Sequence, residues 1–149
     1  MSDRQTLTME RTFAASAQRV FDAFTSPEVM RRWWQAGDGW STPLAEVDLR
    51  IGGTIRVVMH DPKEDVNYGG GGRYTEIDPP SRLAFTWMWE DEIPGQVEQM
   101  IEIDFTESDG ETTVNFTHRD LLDEEALESH EGGWSKVFEH LERELASQA

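Results

Sequence analysis

Cysteine is missing from the sequence altogether. Its absence excludes a disulfide framework, a thiolate metal site and a thiol nucleophile, and it fits a cytoplasmic location. Lysine is nearly missing as well, with only Lys63 and Lys136 among 149 residues. No apolar run approaches the ~20 residues that a membrane helix requires, so membrane insertion is not expected. Residues 1–13 have no apolar segment of the secretory kind. Signatures of catalysis are also lacking. There is no G-x-S-x-G elbow, no Walker loop follows the glycines at 69–72, and His130-Glu131 lacks the second His of a zincin helix.

Acid is what the chain has in excess, with a formal net charge of -17. Such a field repels phosphate backbones and argues against a nucleic-acid partner. A carboxylate-rich, lysine-poor surface also suits high salt, where screening offsets self-repulsion, although GC-rich coding favours Arg over Lys too. The length suits one domain, residues 1–149, with a core of its own.

The hydrophobic pattern sets the element types. Leu7, Met9 and Phe13 alternate with threonine and glutamate as a first strand would. Ser16 is placed to cap a helix bearing Val20, Phe21 and Phe24, and Pro27 to start a second short helix ending near Trp34. Strands follow: Val47-Leu49-Ile51, Ile55-Val57-Met59, Arg73 to Ile77, Leu83-Phe85-Trp87-Trp89, Val97 to Phe105, and Val114-Phe116-His118. The stretch from Asp61 to Gly72, ending in four glycines, reads as a flexible hairpin loop. Asp78-Pro79-Pro80-Ser81 and Ser108-Asp109-Gly110 read as turns. After Asp123-Glu124-Glu125 the chain becomes helical. From His130 onward Trp134, Val137, Phe138, Leu141 and Leu145 recur at three- and four-residue steps, the stripe of an amphipathic helix. Consecutive strands with hairpin-length connections make this an α+β protein with an antiparallel sheet.

The ordered motifs resemble the START-like (Bet v 1-like, SRPBCC) superfamily, in its branch related to the activator of the Hsp90 ATPase. They are Arg11-Thr12-Phe13 leading to Val20-Phe21-Asp22-Ala23-Phe24-Thr25-Ser26-Pro27-Glu28, then Trp33-Trp34, Val47 to Thr54, Gly72 to Leu83 with Phe85-Thr86-Trp87, and His130 with Gly133-Trp134. The resemblance spans about Thr6 to Leu145. It implies a helix-grip fold: a curved antiparallel sheet of about six or seven strands wrapped around the long C-terminal helix, with a cavity between them. Carriers, cyclases, stress-related proteins and co-chaperone domains share that fold, so it implies no single chemistry.

A sheet gripping one helix encloses a volume that side chains or a ligand must fill. The expected ligand-binding wall takes Phe85, Trp87, Trp89, Gln99, Ile101, Phe116 and His118 from the strands, with Met59 and Tyr74. The helix adds His130, Trp134, Val137, Phe138 and Leu141, and Trp33 or Trp34 stands near the entrance. Large aromatics with a few polar groups describe a pocket for a hydrophobic small molecule, which is the expected partner. Two alternatives stand beside that reading: an enzyme using His118, His130 or Tyr74 as acid or base, and a protein-interaction module that meets a chaperone. No metal site and no cofactor is expected. His140 is expected at the surface and His60 at a pocket mouth. Arg11, sharing a face with Leu7 and Phe13, calls for a carboxylate such as Asp48 or Glu76. Exposed Trp33, Trp34 and Trp40 would offer a homodimer patch or a lid.

Overall fold

A computed structural model describes residues 4–147. Strand β1 (Gln5–Phe13) is followed by helices α1 (Ala17–Thr25) and α2 (Pro27–Trp33). Strands β2 (Ser41–Val47), β3 (Thr54–Asp61), β4 (Val66–Asp78), β5 (Arg82–Trp89), β6 (Gln99–Ser108) and β7 (Glu111–Leu121) come next, and α3 (Glu124–Ser147) closes the chain. The seven strands form one antiparallel sheet in the order β1-β7-β6-β5-β4-β3-β2. This is the α+β helix-grip arrangement, with two short helices after the first strand. Among the described residues no helix is long and apolar enough to cross a membrane.

Local chemistry explains the boundaries. The Ser16 hydroxyl accepts from Arg19 N at 3.2 Å and starts α1, and Pro27 sits at the first turn of α2. Asp109 and Gly110 both have positive φ, the geometry of a two-residue hairpin turn between β6 and β7. Asp123 accepts from Ala126 N at 2.9 Å and opens α3, which runs unbroken through Gly132 and Gly133 instead of restarting at His130. Its buried stripe is Trp134, Val137, Phe138, Leu141 and Leu145.

Three stretches depart from the sequence reading. The four glycines are not a loop: Gly69 to Gly72 lie in β4, opposite Val58 to Ile55 of β3. They are strand residues because their neighbours occupy the space a side chain would need. A Cβ on Gly70 would stand 2.5 Å from Trp87 Cζ2, and one on Gly72 would strike the Thr86 carbonyl. The hairpin tip is instead Pro62 to Asp65, where Asp61 Oδ1 accepts from Lys63 N. Leu49 and Ile51 do not continue β2 but project outward at 42% and 66% exposure. There the chain turns on itself, with Arg50 N bonded to Asp48 O and Gly53 N to Arg50 O. Val97 likewise precedes β6 and is exposed. Arg11 is half-buried, but Asp48 pairs with Arg50 and Glu76 with Arg82, so neither is its partner.

Candidate ligand cavity

The site is assembled from both ends of the chain. Trp33 and Trp34 leave α2 side by side, their rings stacked at 5.5 Å. Trp33 Nε1 donates to Ala23 O and the ring is fully buried. Beyond it, the loop to β2 is held by a chain of bonds: Gln35 Nε2 donates to Thr42 Oγ1 and Thr42 Oγ1 to Trp34 O, both at 2.7 Å. Helix α3 grips the same loop from outside through His140 Nδ1 with Gln35 O at 3.0 Å and Lys136 Nζ with Asp38 at 3.1 Å. His140 is therefore half-buried and tied to this loop, not a free surface residue. Gly37 lacks the Cβ that would collide with the Trp40 indole, and Trp40 stacks on Tyr68 of β4 at 5.4 Å and 9°.

Between this loop, β3–β5 and the first half of α3 lies a cavity of about 350 Å³. Trp34, Trp87 and Trp134 form its floor; Trp34 stacks on Trp87 at 5.9 Å and meets Trp134 at 5.4 Å. Trp40, Tyr68, Met59, Trp89, Ala36, Gly133 and Val137 make the walls, and Asp91, Ile93, Ser129 and His130 the polar-edged remainder. The cavity sits here because α3 packs on β1 and β7, with Phe116 and Trp134 only 4.5 Å apart. On the opposite flank the curving sheet leaves the helix, and the gap between them is left to rings and open space.

Behind the wall runs a polar network. Trp134 Nε1 donates to His118 Nδ1 at 3.2 Å, so the His118 proton resides on Nε2 and is given to Gln99 Oε1 at 2.7 Å. Gln99 Nε2 continues to Gln96 Oε1, which also accepts from Trp89 N. Trp89 Nε1 donates to His130 Nε2 at 3.1 Å, and His130 Nδ1 donates to Ala126 O at 2.7 Å. Both imidazoles are neutral with both nitrogens engaged. Burial, together with the neighbouring His130, pushes the His118 pKa down to about 3. Burial also lowers that of His130, opposed by its bond to Ala126 O. Tyr74 Oη and Trp87 Nε1 are buried without a hydrogen-bond partner among the described residues, and burial raises the Tyr74 pKa. No three His, Asp or Glu side chains among the described residues converge as metal ligands.

Of the expected wall, the structure brings Trp34, Met59, Trp87, Trp89, His130, Trp134 and Val137 to the cavity. It places Trp33, Tyr74, Phe85, Gln99, Ile101, Phe116, His118, Phe138 and Leu141 away from it, packed in the core. The strand members of this set are buried, on the inward side that the alternation gave them. Helix α3 covers Phe116 and His118 directly through Trp134 and Phe138, whereas Phe85 packs between Tyr74 and Trp87. His60 bonds to Asn67 at 2.7 Å and is not part of the lining. Trp33 and Trp34 are buried, at 0% and 2% exposure, so they offer no exposed patch for a second copy. Trp40, offered from sequence as a dimer patch or a lid, stands in the cavity lining, and the reading from sequence missed Ala36, Tyr68, Asp91, Ile93, Ser129 and Gly133. Trp40 and Tyr68 carried a signal, being large aromatics set among loop residues, while the others carried none.

Fold and cavity together define a helix-grip domain of the START-like (Bet v 1-like, SRPBCC) kind. A family model described as "Activator of Hsp90 ATPase homolog 1-like protein" matches residues 14–146, and the chain belongs to that family. Solved structures agree. The AHSA1 protein of Silicibacter pomeroyi is 28% identical, with a TM-score of 0.84 over 97% of this chain and 100% of that one. A protein of Chromobacterium violaceum is 21% identical at TM-score 0.84, covering 95% and 97% of the two chains. A protein of Rhodobacter sphaeroides is 23% identical at TM-score 0.82, covering 100% and 97%. Those two likenesses speak for the fold alone. No curated protein matches the chain.

Proposed function

We propose that this chain binds a hydrophobic small molecule in the cavity between α3 and strands β3–β5, in a single cytoplasmic domain. One observation carries the reading. A core otherwise filled with large rings leaves about 350 Å³ open, walled by indoles, Met59 and Val137. That volume is at the lower end of small-molecule pockets, roughly 300–1,000 Å³. The acid–base alternative has less support, because His118 and His130 have both nitrogens engaged and Tyr74 is sealed in the core away from the cavity. A chaperone partner has the family description behind it and no feature of this surface.

Five of the six tryptophans line the cavity, so their fluorescence reports on its contents directly. Titration with tert-butylbenzene is expected to quench that emission, with a negative heat-capacity change in calorimetry. Gly133→Leu places a side chain in the cavity from a helical position whose nearest neighbour to a new Cβ is Ala36 at 3.4 Å. It is expected to abolish the quenching in a protein that still folds. Quenching unchanged in Gly133→Leu overturns the assignment, as does a parent protein quenched neither by this probe nor by charged probes of its shape.

A further inference from the structure

We infer that the ligand of this cavity is a compact organic cation, an ammonium group carrying an apolar body; this rests on the cavity's being a binding site, as proposed above. The wall is not merely apolar. It is lined by Trp34, Trp40, Tyr68, Trp87, Trp89 and Trp134, and an aromatic ring attracts a cation that comes within ~6 Å of it through the negative lobe of its quadrupole. Among the described residues, Asp91 is the only side chain in the lining with a formal charge, since His130 has both ring nitrogens in hydrogen bonds to neutral groups. Asp91 makes no ion pair among the described residues, unlike its neighbour Glu90, which is paired with Arg56 at 2.6 Å. Among the described residues no Arg or Lys lines the cavity.

These facts rank ligands by charge. A carboxylate or phosphate would meet no counter-ion, only Asp91 and the field of a chain bearing -17. A neutral hydrocarbon would gain its burial and nothing else. A cation gains burial of its apolar body, the attraction of the surrounding rings and the carboxylate at the rim. The surrounding negative potential adds to its rate of association.

Three probes of nearly one shape separate the cases: phenyltrimethylammonium, its neutral isostere tert-butylbenzene, and the anionic 2-methyl-2-phenylpropanoate, each titrated by tryptophan fluorescence. The cation is expected to bind about tenfold more tightly than the isostere, and the anion more weakly than either. Asp91→Asn, on an exposed loop, is expected to weaken the cation about threefold to tenfold relative to tert-butylbenzene. Molar KCl should weaken the cation alone. Equal or tighter binding of tert-butylbenzene overturns the inference and leaves the proposed function standing. Binding by none of the three overturns both. A cation preference unchanged in Asp91→Asn overturns the part given to that carboxylate.

Discussion

His118 and Trp134 show how one hydrogen bond fixes a charge state. An indole N–H only donates, so its partner nitrogen must keep a lone pair, and an imidazolium has none. The same holds for Trp89 and His130. Protonating either histidine would break a cross-link between α3 and the sheet, at a site where burial already opposes charge. With the His118 pKa at about 3 against 6.5 unfolded, the unfolded chain binds more protons between those values. The histidine's contribution is therefore complete above pH 6.5 and is lost as pH falls towards 3, by up to ~1.4 kcal/mol per unit. Glu90 and Glu102, held below the usual carboxylate range chiefly by Arg56 and Arg119, add their losses only below about pH 4.5. His118→Gln is thus expected to flatten the dependence of Tm on pH between 6.5 and 4.5. A variant as steep as the parent in thermal melts would remove His118 from that role. Tyr74 makes the converse case. Its hydroxyl is buried without a partner, so Tyr74→Phe is expected to be neutral or to stabilise by about 1 kcal/mol in urea unfolding, where burying an unbonded hydroxyl normally costs 1–3 kcal/mol.

Glycine has opposite meanings in the two elements that face each other across the cavity. In β4, Gly70 gives Trp87 the room to lie against the strand, and that ring is part of the cavity floor. Gly70→Ala should displace the indole, cost about 1–3 kcal/mol and lower affinity for any cavity ligand. In α3, Gly132 is exposed, with nothing within 4 Å of the point where a Cβ would stand, and it loses backbone entropy for no packing return. Gly132→Ala should stabilise by about 0.5–1 kcal/mol without changing ligand affinity. Measuring both variants by denaturant unfolding and by fluorescence titration separates a glycine needed for contact from one that is not.

For the whole molecule, charge is the property that sets the response to solvent. Arg82 gathers Glu76, Glu102 and Asp104 within 2.8 Å on the outer side of the sheet, and Glu102 also pairs with Arg119. With 30 acidic against 13 basic side chains, carboxylates far outnumber the cations that could pair with them. Screening shortens the reach of their repulsion from about 30 Å at 10 mM salt to about 3 Å at 1 M. Tm is expected to rise by about 5 °C or more over that range, a shift equivalent to roughly 1–2 kcal/mol for a chain of this length. A melting temperature independent of KCl would show that the excess charge is already accommodated by spacing.

What the sequence determined by itself is what depends on neighbours along the chain. The period-2 runs of β5 and β7, the 3.6-residue stripe of Trp134 to Leu145, the Ser16 cap and the Asp109-Gly110 turn are all local, and each is found where its residues stand. Tertiary structure decided the rest. Four glycines are flexible in isolation and became a central strand only because Trp87 and the β3 and β5 backbones close over them. Alternation told which face of each strand turns inward, not how far α3 would lie from that face. Phe116 and His118 are therefore core while Trp87 and Trp89 border open space. Trp40, Tyr68 and Asp91, from three separate segments, meet at the cavity only because the curvature of the sheet carries β3–β5 away from the helix, a distance that no spacing in the chain encodes.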